Sequence, residues 1–147
     1  RTGADHRRLL AVDTSVPADK RITIMAPPGG DPGLTAALLA RLALSGAKLT
    51  LIKDSPGFIA QRIRAMVANL GCEMAQIGIA SPADIDTAMT LGLNYPQGPL
   101  ALADAMGPDS VMTILGRLQD LTGDDRYRPS SWLRRRAQLG LPASQPD

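Results

Sequence analysis

The side chains that most often carry acid–base or nucleophilic chemistry are scarce in this chain. His6 is the only histidine and lies in a polar N-terminal stretch, where a solvent-exposed histidine is the ordinary interpretation. A Ser-His-Asp triad or a histidine general base is therefore not expected. Asp84 and Asp86 are two residues apart on a predicted helix, so their carboxylates do not face each other. We interpret both as solvated acids of a first helical turn, and the sequence predicts no complete catalytic set and no metal-ligand cluster.

Two other motifs could hold a ligand. The Gly-rich stretch "PPGGDPG" (27–33) precedes a predicted helix, but it matches neither GxGxxG nor GxxxxGK[ST], and the carboxylate of Asp31 would repel a phosphate.

The most basic stretch of the sequence is Arg134–Arg136, with Arg126 and Arg128 nearby. It could bind nucleic acid, nucleotide phosphates or acidic groups of an assembly. A solvated helix face near a C-terminus is the preferred interpretation, because cations there suit the helix dipole.

Composition sets further limits. The chain has 147 residues, 44% hydrophobic and 3% aromatic, with a net charge of +2. Such a core must be built from aliphatic side chains, and the charge gives no general attraction to nucleic acid or membranes. Cys72 is the only cysteine, which excludes an internal disulfide. The sequence contains no apolar run long enough for a transmembrane helix and no signal peptide. We interpret the chain as part of a longer protein and expect a cytoplasmic location.

The first third of the sequence is typical of a piece of an α/β sheet. Strands are predicted over 7–12, 21–25 and 47–52, where short apolar runs are bounded by turn residues. A helix capped by Asp31 and opened by Pro32 is predicted to end at Gly46.

The remainder is predicted to be helical. A helix over about 58–77 carries a stripe of large apolar residues, and shorter helices are expected after Ser81, over about 99–106, within 108–123 and within 130–140. The stripe consists of Ile59, Ile63, Met66, Val67, Leu70, Met74 and Ile77. The domains predicted are an α/β lobe over 1–53, a helical body over 54–140 and a polar tail over 141–147.

Two stretches together resemble a known family. "IKDSPGFIAQRI" is followed about 30 residues later by "ASPADIDTAMTLGLNYPQGPLALADAMG", and this pair is similar to the C-terminal domain of bacterial NAD-dependent 3-hydroxyacyl-CoA dehydrogenases of the 3-hydroxybutyryl type. The resemblance implies a mainly α fold, with a helical body of the 6-phosphogluconate dehydrogenase C-terminal-like type after a Rossmann-like α/β remnant. It also implies that "DSPGFIAQR" is a hinge, which Gly57 lets bend tightly.

Departures from the family pattern imply lost chemistry. Asp13 stands where the family has its histidine base, about Met25 where it has a glutamate, and Gln61 where it has an asparagine near the substrate. We therefore expect a second, degenerate copy from a tandem-domain protein, inactive alone, with NAD bound only elsewhere in the parent enzyme.

The expected role is assembly with the catalytic domain of the parent chain and in a homodimer, within fatty-acid or phenylacetate breakdown. The alternatives are an acyl-CoA-binding module with Gln61 as a contact, and a helical dimerisation domain of another Rossmann dehydrogenase. No nucleic-acid or membrane partner is expected.

Overall fold

The structure is a computed structural model that describes residues 3–16 and 21–147. It divides into two compact units, the first ending at Gln61 and the second beginning at Arg62. The division falls within the first turn of a long helix, eight residues beyond residue 53, where the predicted lobe ends. No helix in the described residues combines the length and apolar character needed to cross a bilayer.

The first unit contains a three-stranded sheet and one helix. Strands β1 (Ala11–Val12), β2 (Ile22–Ala26) and β3 (Leu49–Lys53) lie in the order β1-β2-β3, with β1 antiparallel and β3 parallel to β2. Helix α1 (Pro32–Ala43) begins as predicted, because the Asp31 carboxylate accepts the N–H of Gly33 at 2.8 Å. The α/β character predicted for this part of the chain is confirmed.

The strand predicted over 7–12 was wrong for most of its length. His6–Arg8 form a 3₁₀ turn, since the Asp5 carboxylate accepts the backbone N–H of Arg7 at 3.1 Å and favours a local bend. Pairing with β2 is confined to Ala11 and Val12.

The second unit is a bundle of helices with one core. Helix α2 (Ile59–Gln76) leads into α3 (Pro82–Leu93), α4 (Pro99–Met106), α5 (Pro108–Thr122) and α6 (Ser131–Leu139), with a 3₁₀ turn at Asp125–Tyr127 before the last helix. The cap predicted at Ser81 is confirmed, since its hydroxyl accepts the N–H of Asp84 at the start of α3. Ser130 accepts the N–H of Leu133 in the same way at the start of α6. The mainly helical fold is thus as expected.

The core of this unit contains buried side chains from all five helices, from the 3₁₀ turn before α6 and from the segment after α6. They are Ala65, Ala68, Cys72, Ala75, Ile85, Leu100, Ala103, Val111, Leu115, Leu118, Tyr127, Trp132, Leu133 and Ala143. The contribution of α2 is made only of small residues, which lets neighbouring helices approach closely. A Cβ on Gly71 would lie 2.5 Å from the Cβ of Pro99.

Residues 141–147 do more than form a polar tail. Ala143 is fully buried, its carbonyl accepts the indole N–H of Trp132 at 2.8 Å, and its own N–H donates to the Asp104 carboxylate. The segment therefore packs back onto α6 and α4. Local composition does not reveal this, because the contacts join residues far apart in the sequence.

Candidate functional site

The large apolar residues predicted to form a stripe do lie along one side of α2. Most of that side faces away from the core. Ile63, Leu70 and Ile77 are 55%, 58% and 63% exposed, and Ile59 is also exposed. Met66 and Met74 are half-buried and pack against the edge of the core. Since the opposite face supplies alanines, a glycine and Cys72 to the interior, the helix presents its larger side chains outward. Exposed apolar surface of this kind is typical of interaction sites.

A groove of about 530 Å³ runs along this stripe. Its floor consists of Ile63, Met66, Val67 and Leu70, and its polar side of Asn69, Glu73, Asp125, Arg126 and Arg128. Glu73 lies 3.9 Å from the guanidinium of Arg128, and Arg126 pairs with Asp124 at 2.7 Å. The groove is therefore apolar along its floor and carries charges of both signs at its rim.

Asn69 fixes the polar side of the groove, a role that the sequence analysis missed. Its Nδ2 donates to the carbonyl of Arg128 at 3.0 Å, and its Oδ1 accepts the N–H of Ser130 at 2.8 Å. Asn69 is buried, and buried polar groups need hydrogen-bond partners. Its two bonds satisfy both its own amide and two backbone groups that otherwise lack a partner. The sequence did contain a sign of this role: Asn69 is a polar residue on the alanine-rich face of the helix, and a polar residue buried there must have hydrogen-bond partners.

Gln61, the predicted substrate contact, lies half-buried in the first turn of α2. Its Oε1 accepts the backbone N–H of Phe58 at 3.4 Å, which is the reverse half of a capping box. At the same corner Gly57 has φ 71°, and Ser55 Oγ donates to the Gly57 carbonyl. The side chain thus has a structural contact at the end of the helix; its role toward substrate stays a prediction.

The positions expected to have lost acid–base function lie in the first unit. Asp13 is buried, and its carboxylate accepts the N–H and the hydroxyl of Ser15 at 2.9 and 2.6 Å. Met25 is also buried and has no group that could orient a base. Pro17, at the end of the stretch containing Asp13, lies outside the described residues.

The predictions that Arg134–Arg136 and Asp86 are simply solvated were wrong in part. The Arg134–Arg136 patch is divided: Arg134 and Arg135 are exposed, whereas Arg136 is buried 3.2 Å from the centroid of the Trp132 ring and donates to the carbonyl of Gln145 at 2.7 Å. Asp86 is not simply solvated, because its half-buried carboxylate accepts two backbone N–H groups of α4.

A metal site or a reactive cysteine makes specific demands on the titratable side chains in the described part of the chain. No three His, Cys, Asp or Glu residues there are grouped so as to hold a metal ion. Burial raises the pKa of the Cys72 thiol to about 12, with a smaller opposing effect of Arg136, so this cysteine is a small core residue and not a nucleophile. The groove along α2, with an apolar floor and a charged rim, has the character of a binding site.

Comparison with known proteins gives a consistent result. The family model for the 3-hydroxyacyl-CoA dehydrogenase C-terminal domain matches residues 57–145. A 3-hydroxyadipyl-CoA dehydrogenase from Escherichia coli is 41% identical over 122 residues, which are 83% of this chain and 26% of that protein. A probable 3-hydroxybutyryl-CoA dehydrogenase from Deinococcus radiodurans is 41% identical over 108 residues, covering 73% of this chain and 39% of that protein. The chain spans well under half the length of these relatives.

Solved structures agree. A crystal structure of 3-hydroxybutyryl-CoA dehydrogenase from Escherichia coli superposes with a TM-score of 0.79 at 39% identity, over 88% of this chain and 27% of that one. The (S)-3-hydroxybutyryl-CoA dehydrogenase from Ralstonia eutropha gives a TM-score of 0.81 at 31% identity, over 89% of this chain and 46% of that one.

Proposed function

The chain belongs to the family of 3-hydroxyacyl-CoA dehydrogenase C-terminal domains, and on that basis we propose that it is an assembly domain of such an enzyme. The parent enzyme would oxidise a 3-hydroxyacyl-CoA to the 3-oxoacyl-CoA with NAD in the cytoplasm, in fatty-acid or phenylacetate breakdown. This domain would join its catalytic part and a second subunit. The observation that carries the proposal is the exposed apolar stripe of α2 beside a groove.

Two residues of the first unit support a role in which this chain does not itself catalyse the oxidation. An alcohol proton needs a base tuned near neutrality, such as an imidazole. Asp13 is a carboxylate already bonded to Ser15, and a thioether at position 25 cannot orient a base. These residues do not form a working acid–base pair for the oxidation.

Relative lengths support the tandem origin. The matched stretch makes up 26% of the Escherichia coli relative but 39% of the Deinococcus radiodurans one, so the former is the longer protein and has room for a second copy of this domain. The present chain would be the degenerate copy of such a pair.

The test is a dehydrogenase assay of the chain with 3-hydroxybutyryl-CoA and NAD⁺, following NADH by absorbance, with a full-length 3-hydroxybutyryl-CoA dehydrogenase as positive control. We expect turnover from the control only. Substrate-dependent NADH formation by the purified chain, above the rate of a heat-denatured sample, would overturn the proposal.

A second candidate role is contact with acyl-CoA through Gln61. Its carboxamide is half-buried at the corner of α2, and its hydrogen bond to Phe58 is long at 3.4 Å, so it can be redirected to a ligand at small cost. Calorimetric titration with acetoacetyl-CoA tests this role. Saturable binding that Gln61→Ala weakens and Gln138→Ala leaves unchanged would support it, and no heat of binding by the folded chain would exclude it.

A further inference from the structure

We infer that Asp104, Trp132 and Arg136 form a receptor for a peptide turn, and that residues 141–147 occupy this receptor as a releasable latch. The inference is independent of the proposed assembly role, because none of these residues lines the groove along α2. It is argued from the hydrogen bonds that hold the latch, from its burial and from the way the receptor is anchored.

The receptor holds the latch by its backbone. Residues 142–145 form a tight turn, closed by a 3.2 Å hydrogen bond from the N–H of the last residue to the carbonyl of the first. The Asp104 carboxylate accepts the N–H groups of Ala143 and Ser144, and the Trp132 indole N–H donates to the carbonyl of Ala143 at 2.8 Å. Main-chain bonds of this kind provide affinity for a chain conformation, whereas side-chain pockets provide selectivity.

Arg136 completes the receptor with a buried cation. Its side chain is 7% exposed and lies over the Trp132 ring, and both Nε and Nη2 donate to the carbonyl of Gln145. Nη2 also lies 3.1 Å from the carboxylate of Asp147, which is 86% exposed. Because an ion pair with so exposed a partner contributes little, the guanidinium holds the turn chiefly through the Gln145 carbonyl.

The latch buries little apolar surface of its own. Among residues 141–147, Ala143 is fully buried, Leu141 is half-buried and the others are exposed. Burial of one methyl group contributes about 0.8 kcal/mol, and a hydrogen bond contributes about 1 kcal/mol net. The closed state therefore rests on a few polar bonds, and we expect the latch to open at a lower free energy than the helices unfold.

The receptor is anchored by the helical core. Asp104 follows the fully buried Ala103 on α4, and Trp132 precedes the fully buried Leu133 on α6. The backbone N–H of Trp132 also donates to the Gln76 side chain of α2 at 2.9 Å. Opening the latch therefore leaves a preformed site that presents a carboxylate, an indole N–H and a guanidinium. Its one deep position accepts a side chain no larger than a methyl group, so the ligand class is a turn that carries a small residue.

Ala143→Leu tests whether the latch is releasable. Because Ala143 is fully buried, a larger side chain should keep the latch open while the helices stay folded. We expect Trp132 emission at longer wavelength and several-fold stronger acrylamide quenching, with unchanged helical circular dichroism. Ser144→Leu, at an exposed position of the same turn, is the matched control and should behave as the wild-type chain. Loss of helical signal in Ala143→Leu, or wild-type emission from it, would overturn the inference.

A peptide added in trans tests the receptor itself. The Ala143→Leu chain is titrated with the heptapeptide Leu-Pro-Ala-Ser-Gln-Pro-Asp, the sequence of residues 141–147, and saturable return of the Trp132 emission to shorter wavelength is expected. Binding in the millimolar range is enough, because a short tether gives the latch an effective concentration of that order in the intact chain. The same peptide with leucine in place of alanine should have no effect. No response to the alanine peptide, or an equal response to both, would rule out a turn receptor.

Discussion

The carboxylate of Asp86, in the middle of α3, caps the backbone of Leu100 at the start of α4: Oδ1 accepts the N–H of Leu100 at 2.7 Å, and Oδ2 accepts the N–H of Ala101 at 2.9 Å. A negative charge at a helix N-terminus is favoured by the helix dipole. Gly98 makes room for it, since a Cβ at that position would collide with the Asp86 side chain. One side chain thus holds α3 against α4.

Replacing Asp86 by alanine should lower the free energy of unfolding by about 1–2 kcal/mol, because α4 loses its cap and two N–H groups lose their acceptor. Urea unfolding followed by circular dichroism measures the change. Asp120→Ala, at an exposed position of α5, is the control and should change stability by less than about 0.5 kcal/mol. Equal losses in both variants would contradict this role of Asp86.

Gly71→Ala and Gly116→Ala should change stability in opposite directions, although both glycines lie inside helices. At Gly71 the added Cβ would lie 2.5 Å from the Cβ of Pro99, whereas at Gly116 nothing lies within 4 Å. Overpacking should cost the first variant about 1–3 kcal/mol. The second should gain up to about 1 kcal/mol from helix propensity. Thermal unfolding of the two proteins compares them directly, and stabilisation by Gly71→Ala would show that α2 and α4 are not in close contact.

Contacts between residues that are close in the sequence were predictable, whereas contacts between residues far apart in the sequence were not. The starts of α1 and α3 were predictable because Asp31 and Ser81 accept N–H groups two or three residues away. The cap from Asp86 to Leu100 was not, because 14 residues separate the two and nothing local distinguishes Asp86 from a solvated acid.

The stripe of α2 shows a different limit. Periodicity correctly placed Ile63, Met66 and Leu70 on one face, but it could not tell whether that face covers the domain's own core or another molecule. The side of α2 that faces the domain's own core is the opposite one, where Ala65, Ala68, Gly71, Cys72 and Ala75 are small enough for close packing. A helix with a small-residue face and a large-residue face can bury both only when it has two partners.

Cys72 should make stability depend on pH above about 9. Burial raises the pKa of its thiol from 9.0 to about 12, so between these values the unfolded chain loses a proton that the folded chain keeps. The free energy of unfolding should therefore fall as pH rises through this window and be unaffected by this group below it. Urea titrations at several pH values, compared with Cys72→Ala, isolate the effect. A pH slope that is identical in the two proteins would show that the thiol titrates normally in the folded state.

Arg136 should contribute more to stability than its neighbour Arg135. Its guanidinium stacks 3.2 Å from the centroid of the Trp132 ring and donates through Nε and Nη2 to the carbonyl of Gln145, so it joins α6 to the final segment. Arg136→Ala removes the stacking and leaves that carbonyl without its donors, which should cost about 2–3 kcal/mol. Arg135→Ala, at an exposed position of the same helix, should cost less than about 0.5 kcal/mol.

Trp132 is the only tryptophan, so its fluorescence reports the state of this contact. In the folded Arg136→Ala protein the emission should shift to longer wavelength, because the ring loses the guanidinium that covers one face and becomes accessible to water. The same spectrum in Arg135→Ala should match the wild-type protein. If Arg136→Ala left both the emission and the urea midpoint unchanged, the other bonds of the final segment, such as those of Ala143 to Trp132 and Asp104, would be sufficient to hold it, and the Arg136 side chain would not contribute to stability.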